Sequence, residues 1–95
     1  MNNLASAIEK GRVRGFDEIK EIDGERVLFQ YAIKKKNGMY TTYLFYIPET
    51  KLEIIEDYAV EEIKEFSNLA DAIYYFESMD INIKQFSRIK GTLPL

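Results

Sequence analysis

The chain has 95 residues, 46% hydrophobic and 31% charged, with a net charge of −3 and a pI of about 5.0. That length suits one domain spanning 1–95, and the composition excludes a disordered chain. With no cysteine there are no disulfides, thiolate nucleophiles or Cys-ligated metals, and with no histidine the commonest general base and zinc ligand are missing too.

These absences point to a small soluble domain that is not an enzyme and holds no metal or cofactor. No apolar run approaches the ~18 residues a membrane span requires. "MNNLASAIEKG" lacks the basic and apolar regions of a signal peptide. The expected compartment is the cytoplasm, where cysteine-free small domains are common.

Residues 2–10 predict a short helix. Leu4, Ala5 and Ile8 share a face, Asn2 or Asn3 can cap the start, and Gly11 can end it. "GRVRG", 11–15, reads as a solvated connection. Its two arginines could clamp an anion, but no phosphate-loop pattern accompanies them.

"FDEIKEIDGERVLFQYAI" predicts two strands around Asp23-Gly24, because a tight type I′ hairpin needs positive φ at both central residues. Over 15–22, Phe16, Ile19 and Ile22 fit a helix as well as a strand. Over 25–34, Val27, Phe29, Tyr31 and Ile33 alternate with Leu28, Gln30 and Ala32, which is strand periodicity.

Asn37-Gly38 predicts a second hairpin. The strand after it, 39–47, has two apolar faces: Thr41, Tyr43, Phe45 and Ile47 on one, Tyr40, Thr42, Leu44 and Tyr46 on the other. Pro48 marks a turn, and "KLEIIED", 51–57, is expected to form a further strand. Ile63, Phe66, Ala70, Ile73 and Phe76 fit one long helix over about 59–79; a shorter helix is the preferred reading and leaves 60–66 irregular or extended. A helix follows over about 68–79, capped at Asn68, with Leu69, Ala72, Ile73 and Phe76 inward and Asp71, Tyr75 and Ser78 outward. The tail, with Ile81 and Ile83, is expected to add a strand or wrap a sheet edge.

The predicted architecture is α+β: an antiparallel meander of three to five strands, one main C-terminal helix on one face and a short N-terminal helix. One helix of about 12 residues spans ~18 Å and covers only one face. The face with Tyr40, Leu44 and Tyr46 is therefore expected to need another cover, which the N-terminal helix, the tail or a second copy of the chain could supply; left uncovered, it would mark an interface.

Charge is unevenly distributed. Residues 49–80 hold ten acids and two bases, whereas 81–95 hold Lys84, Arg88 and Lys90 and no acid. The leading expectation is a protein-interaction module. Its apolar anchor is Tyr40, Leu44 and Tyr46, and its acidic segment (Glu53, Glu56, Asp57, Glu61, Glu62, Glu65) steers a basic partner. The alternative is a nucleic-acid binder that uses the hairpin tip Lys34, Lys35 and Lys36 with Lys84, Arg88 and Lys90. The overall acidic charge weighs against it, and a lysine-rich hairpin tip also serves solubility alone. Glu-x-Lys in "DEIK", 17–20, and "EIK", 62–64, occurs in some metal-dependent nucleases, but arises readily by chance in so charged a chain.

Overall fold

The structure, a computed structural model, describes residues 3–89. Helix α1 (Asn3–Glu9) leads into strands β1 (Arg14–Ile22), β2 (Glu25–Lys36) and β3 (Met39–Pro48). A 3₁₀ turn (Glu49–Ile54) and the single helical turn α2 (Ile55–Tyr58) connect to β4 (Val60–Phe66). Helix α3 (Leu69–Glu77), a 3₁₀ turn (Ile83–Gln85) and the two-residue strand β5 (Ser87–Arg88) follow. The five strands form one antiparallel sheet in the order β4-β3-β2-β1-β5.

Both hairpins turn where the dipeptides predict. Asp23 and Gly24 have φ of 52° and 81°, and Asn37 and Gly38 have 54° and 78°, the positive pairs that the tight turn requires. Asn68 caps α3: its side-chain oxygen accepts from the Asp71 N–H at 2.8 Å. The tail pairs with an edge, since Arg88 lies opposite Arg14 and Ser87 opposite Gly15.

Two local expectations change. Residues 51–57 form helical turns, not a strand. Leu52–Ile55 and Ile54–Tyr58 have helical spacings of three and four as readily as strand alternation, and the sheet position beside β3 goes to β4. Tyr75 is not turned outward: its ring packs 5.5 Å from Phe66 and 5.3 Å from Phe76, while Tyr74 faces solvent at 70% exposure.

The larger correction concerns the faces of β3. Ile8 of α1 and Ala72 and Phe76 of α3 join Tyr31, Ile33, Tyr40 and Leu44 in one buried cluster. Both helices therefore lie on the Tyr40 side, and the Thr41–Tyr43–Phe45 side faces away from them. Tyr40 and Leu44 are buried within the single chain and are not an uncovered anchor. Alternation alone could not choose between two apolar faces.

Strand and helix lengths then determine what remains open. β2 has twelve residues, or about 40 Å of strand, whereas the nine residues of α3 reach only about 14 Å. The helices cover the half of the sheet near the β2–β3 hairpin. Among the described residues, no helix lies over the other half of the same face.

Candidate functional site

The uncovered half forms a groove of about 720 Å³. Its floor is Val27, Phe29, Leu44 and Tyr46, and its wall is Tyr75, Met79 and Ile81. Phe29 and Tyr46 meet across β2 and β3 with ring centroids 5.3 Å apart. Tyr31, at the inner end, is almost fully enclosed and donates to Glu18 Oε2 at 2.7 Å. Burial first, then that carboxylate, push its phenol pKa well above the ordinary value.

Charges sit only on the rims. Lys20 lies 3.6 Å from Glu18 and 5.5 Å from the Phe29 ring centre. On the β4 side, Lys64 stands 5.0 Å over the Tyr75 ring. Burial and neighbouring Glu62 push the Tyr75 phenol up. An apolar floor and wall with a few polar groups at the edges is the usual chemistry of a binding site. Of the three residues expected as the apolar anchor, Tyr46 and Leu44 line the groove, with Tyr46 half-buried; Tyr40 lies under the helices.

The register shows where the acidic segment falls. Ile22, Glu25 and Pro48 line the groove's open end, and Pro48 leads directly into Glu49 and the exposed Glu53, Glu56 and Asp57. The β1–β2 hairpin, with Glu21, Asp23 and Glu25, lies at that same end. Arg26 answers one of these charges, gripping Glu49 through Nε at 3.1 Å and Nη2 at 3.3 Å. Glu61, Glu62 and Glu65 are exposed on β4. Strand alternation separates them, placing Glu62 on the groove side and Glu61 and Glu65 on the other. Glu61 accepts from the Tyr43 hydroxyl at 3.1 Å. The expected acidic segment is thus divided: Glu62 lies on the groove's rim, Glu61 and Glu65 belong to the opposite face, and Glu53, Glu56 and Asp57 follow Pro48 in the turns beyond the sheet, around a separate small concavity with Leu52, Ile54 and Ile55.

The basic residues gather at the other end. Ile33 lies between Arg14 and Thr42 in the sheet, Arg14 lies opposite Arg88, and Lys34, Lys35 and Lys36 continue β2 beyond that row. Lys35 binds Glu9 at 3.0 Å. Lys84 sits elsewhere, on a 3₁₀ turn beside Leu4 and Ile73. Lys90 lies outside the described residues.

No protein-family model, curated protein or solved structure matches this chain.

Among the described residues, no helix is long and apolar enough to cross a membrane, and no three His, Cys, Asp or Glu side chains cluster as a metal site requires. The groove was hidden from the sequence because it depends on a helix being shorter than the sheet beneath it. The one available sign was length: two strands of about ten residues with a single helix of similar residue count.

Proposed function

We propose that this protein is a non-catalytic interaction module that holds a short basic segment of a partner protein in the sheet groove. A bulky apolar side chain of that segment would rest on Phe29 and Tyr46, against Met79 and Ile81. Its flanking lysines or arginines would face Glu25, Glu62 and the acids of the β1–β2 hairpin. The observation that carries this reading is the meeting of the apolar groove with the acidic end of the sheet. Apolar contact supplies affinity; the rim itself carries Lys20 and Lys64 as well as Glu25 and Glu62, and the further acids of the β1–β2 hairpin, Glu21 and Asp23, supply steering and choice of partner. The lack of histidine and cysteine supports a role without catalysis.

Three short peptides test this reading: one with a tryptophan flanked by lysines and arginines, one with the tryptophan flanked by glutamates, and one with the basic flanks around alanine. Amide and methyl NMR shifts should move at Val27, Phe29, Tyr46 and Met79 with the first peptide only. Met79→Arg, placed at an exposed wall position, should abolish those shifts while leaving the rest of the spectrum intact. Equal response to the acidic peptide overturns the reading. So does a self-associated protein whose groove opens to peptide only on dilution, since the occupant is then a second copy.

A further inference from the structure

We infer that the basic end of the sheet is a second surface, which contacts the phosphate backbone of nucleic acid without reading its sequence. It is separate from the groove and from the partner proposed there.

The sheet brings together cations that lie far apart in the chain. Lys10 and Arg12 lead into β1 at this end, Arg14 and Arg88 are cross-strand neighbours, and Lys34 and Lys36 extend β2 just beyond them. Adjacent strands are ~4.8 Å apart, so two strand steps and one residue along place the backbones of Arg88 and Lys34 about 10 Å apart. Alternation points Arg14 and Arg88 to the helix side with Ile33 and points Lys34 and Lys36 to the other, so the cations flank this end of the sheet from both faces. Among the described residues, the nearby carboxylates are few. Glu9 is occupied by Tyr40 and Lys35, Glu65 lies two strands from Lys34 on the same face, and no carboxylate of the described residues lies within 4.0 Å of Lys10, Arg12, Lys34, Lys36 or Arg88. These cations are free to meet an external anion.

The Arg14–Arg88 pair is the sharpest sign of that anion. Like charges directly opposite on antiparallel strands destabilise a sheet, their Cβ atoms being roughly 5 Å apart. No acid of the described residues bridges them; the Arg14 guanidinium instead donates Nη1–H to its neighbour's carbonyl, Val13 O, at 2.8 Å. A phosphate oxygen between the two guanidiniums would turn the repulsion into a charge-assisted contact.

The net charge of −3 does not oppose this contact locally. Ten residues of β2 separate Lys35 from Glu25, about 33 Å, or some four Debye lengths at ~8 Å each. A phosphate at the basic end is screened from the acidic end. The tyrosines nearby do not supply base stacking, since Tyr40 is buried and bonded to Glu9. The contact therefore involves backbone alone and accommodates double-stranded and single-stranded forms.

Fluorescence anisotropy of the full chain with labelled 20-mer DNA, as duplex and as single strand, tests this surface. Binding is expected in the range of about 1–100 μM at low salt, weakening roughly a hundredfold between 50 and 200 mM salt if about four phosphates are engaged. Exchange of one DNA sequence for another should leave it within twofold. The double variant Arg12→Glu with Lys36→Glu changes two exposed side chains and should reduce affinity at least tenfold. Lys51→Glu, at the acidic end, should change it less than twofold, and Met79→Arg likewise, which separates this surface from the groove. Absence of binding at 50 mM salt overturns the inference. So does equal weakening by Lys51→Glu, or tight binding only to an acidic protein such as a poly-glutamate peptide.

Discussion

Tyr40 shares one hydroxyl proton between both carboxylate oxygens of Glu9, 2.8 Å from each, and so ties β3 to α1 across 31 positions of sequence. Lys35 completes the cluster, its ammonium 3.0 Å from Glu9 Oε1 and 5.6 Å from the Tyr40 ring centre. α1 has only seven residues, too few to persist alone, so it needs such anchors together with the burial of Ile8.

The hydrogen bond from Tyr40, then the one from Lys35, hold the Glu9 carboxyl below its ordinary value of 4.5. A depressed carboxylate pKa contributes stability that is present above 4.5 and lost as pH falls through the lower folded value. Tyr40→Phe should therefore reduce the Tm by a few degrees at neutral pH and flatten the loss of stability below pH 4.5. Thermal melts of both proteins from neutral pH down to about pH 3 decide the matter. Parallel curves would mean that the Glu9 contact contributes nothing to folding.

Gly15 is the next point of vulnerability. A Cβ there would overlap the Tyr31 carbonyl oxygen and lie 2.6 Å from Ile89 Cδ1 and 2.8 Å from the Ala32 Cα. Two of these neighbours are backbone atoms and cannot rotate away. Gly15→Ala should destabilise by at least about 2 kcal/mol and loosen the β1–β5 pairing, because Gly15 lies opposite both Ala32 and Ser87. Chemical denaturation, together with hydrogen exchange at Ser87 and Arg88, measures both effects. A variant of unchanged stability would show that the two strands can separate at no cost.

Local chemistry made much of this fold legible. Asp23-Gly24 and Asn37-Gly38 each carry their own turn geometry, and Asn68 three residues before Asp71 carries its own cap. Features set by register were not legible. Gly15 reads as part of a solvated connector until β2 is laid beside it. Tyr40 and Leu44 read as an open patch because strand alternation is the same whichever face the helices choose. The basic end is invisible because Arg14 and Arg88 are 74 positions apart and meet only through sheet pairing. Glu25 and Glu62 were recognisable as acidic, but not as rim residues of a groove whose floor comes from β2 and β3.

Thr42 offers a gain in stability. It is fully buried on the helix side of β3, between Tyr40 and Leu44, and its hydroxyl has no hydrogen-bond partner among the described residues. A buried hydroxyl without a partner costs about 1–3 kcal/mol relative to its hydrated state. Valine has the same shape and suits a strand at least as well. Thr42→Val should raise stability by about 1 kcal/mol, seen as a higher denaturation midpoint at an unchanged slope. A lower midpoint would show that the hydroxyl makes a stabilising bond in solution.

Alkaline pH should unfold this protein through its tyrosines. Burial first, then the hydrogen bond to Glu61, push the Tyr43 phenol up to about 12 from an ordinary 10. Burial and Glu18 push Tyr31 in the same direction, and the hydrogen bond to Glu9 does so for Tyr40. Each folded phenol keeps its proton at a pH where the unfolded one has released it. Stability is therefore intact below about pH 10 and falls as pH rises from 10 towards 12. Tyrosinate absorbance should rise together with loss of helical and sheet circular dichroism, rather than ahead of it. Tyr43→Phe removes one of the coupled groups, so its stability should decline less steeply across that interval, even though it loses up to about 1 kcal/mol at neutral pH with the Glu61 bond. Identical alkaline slopes for the two proteins would place the titrating burden on Tyr31, Tyr40 and Tyr75 and remove Tyr43 from it.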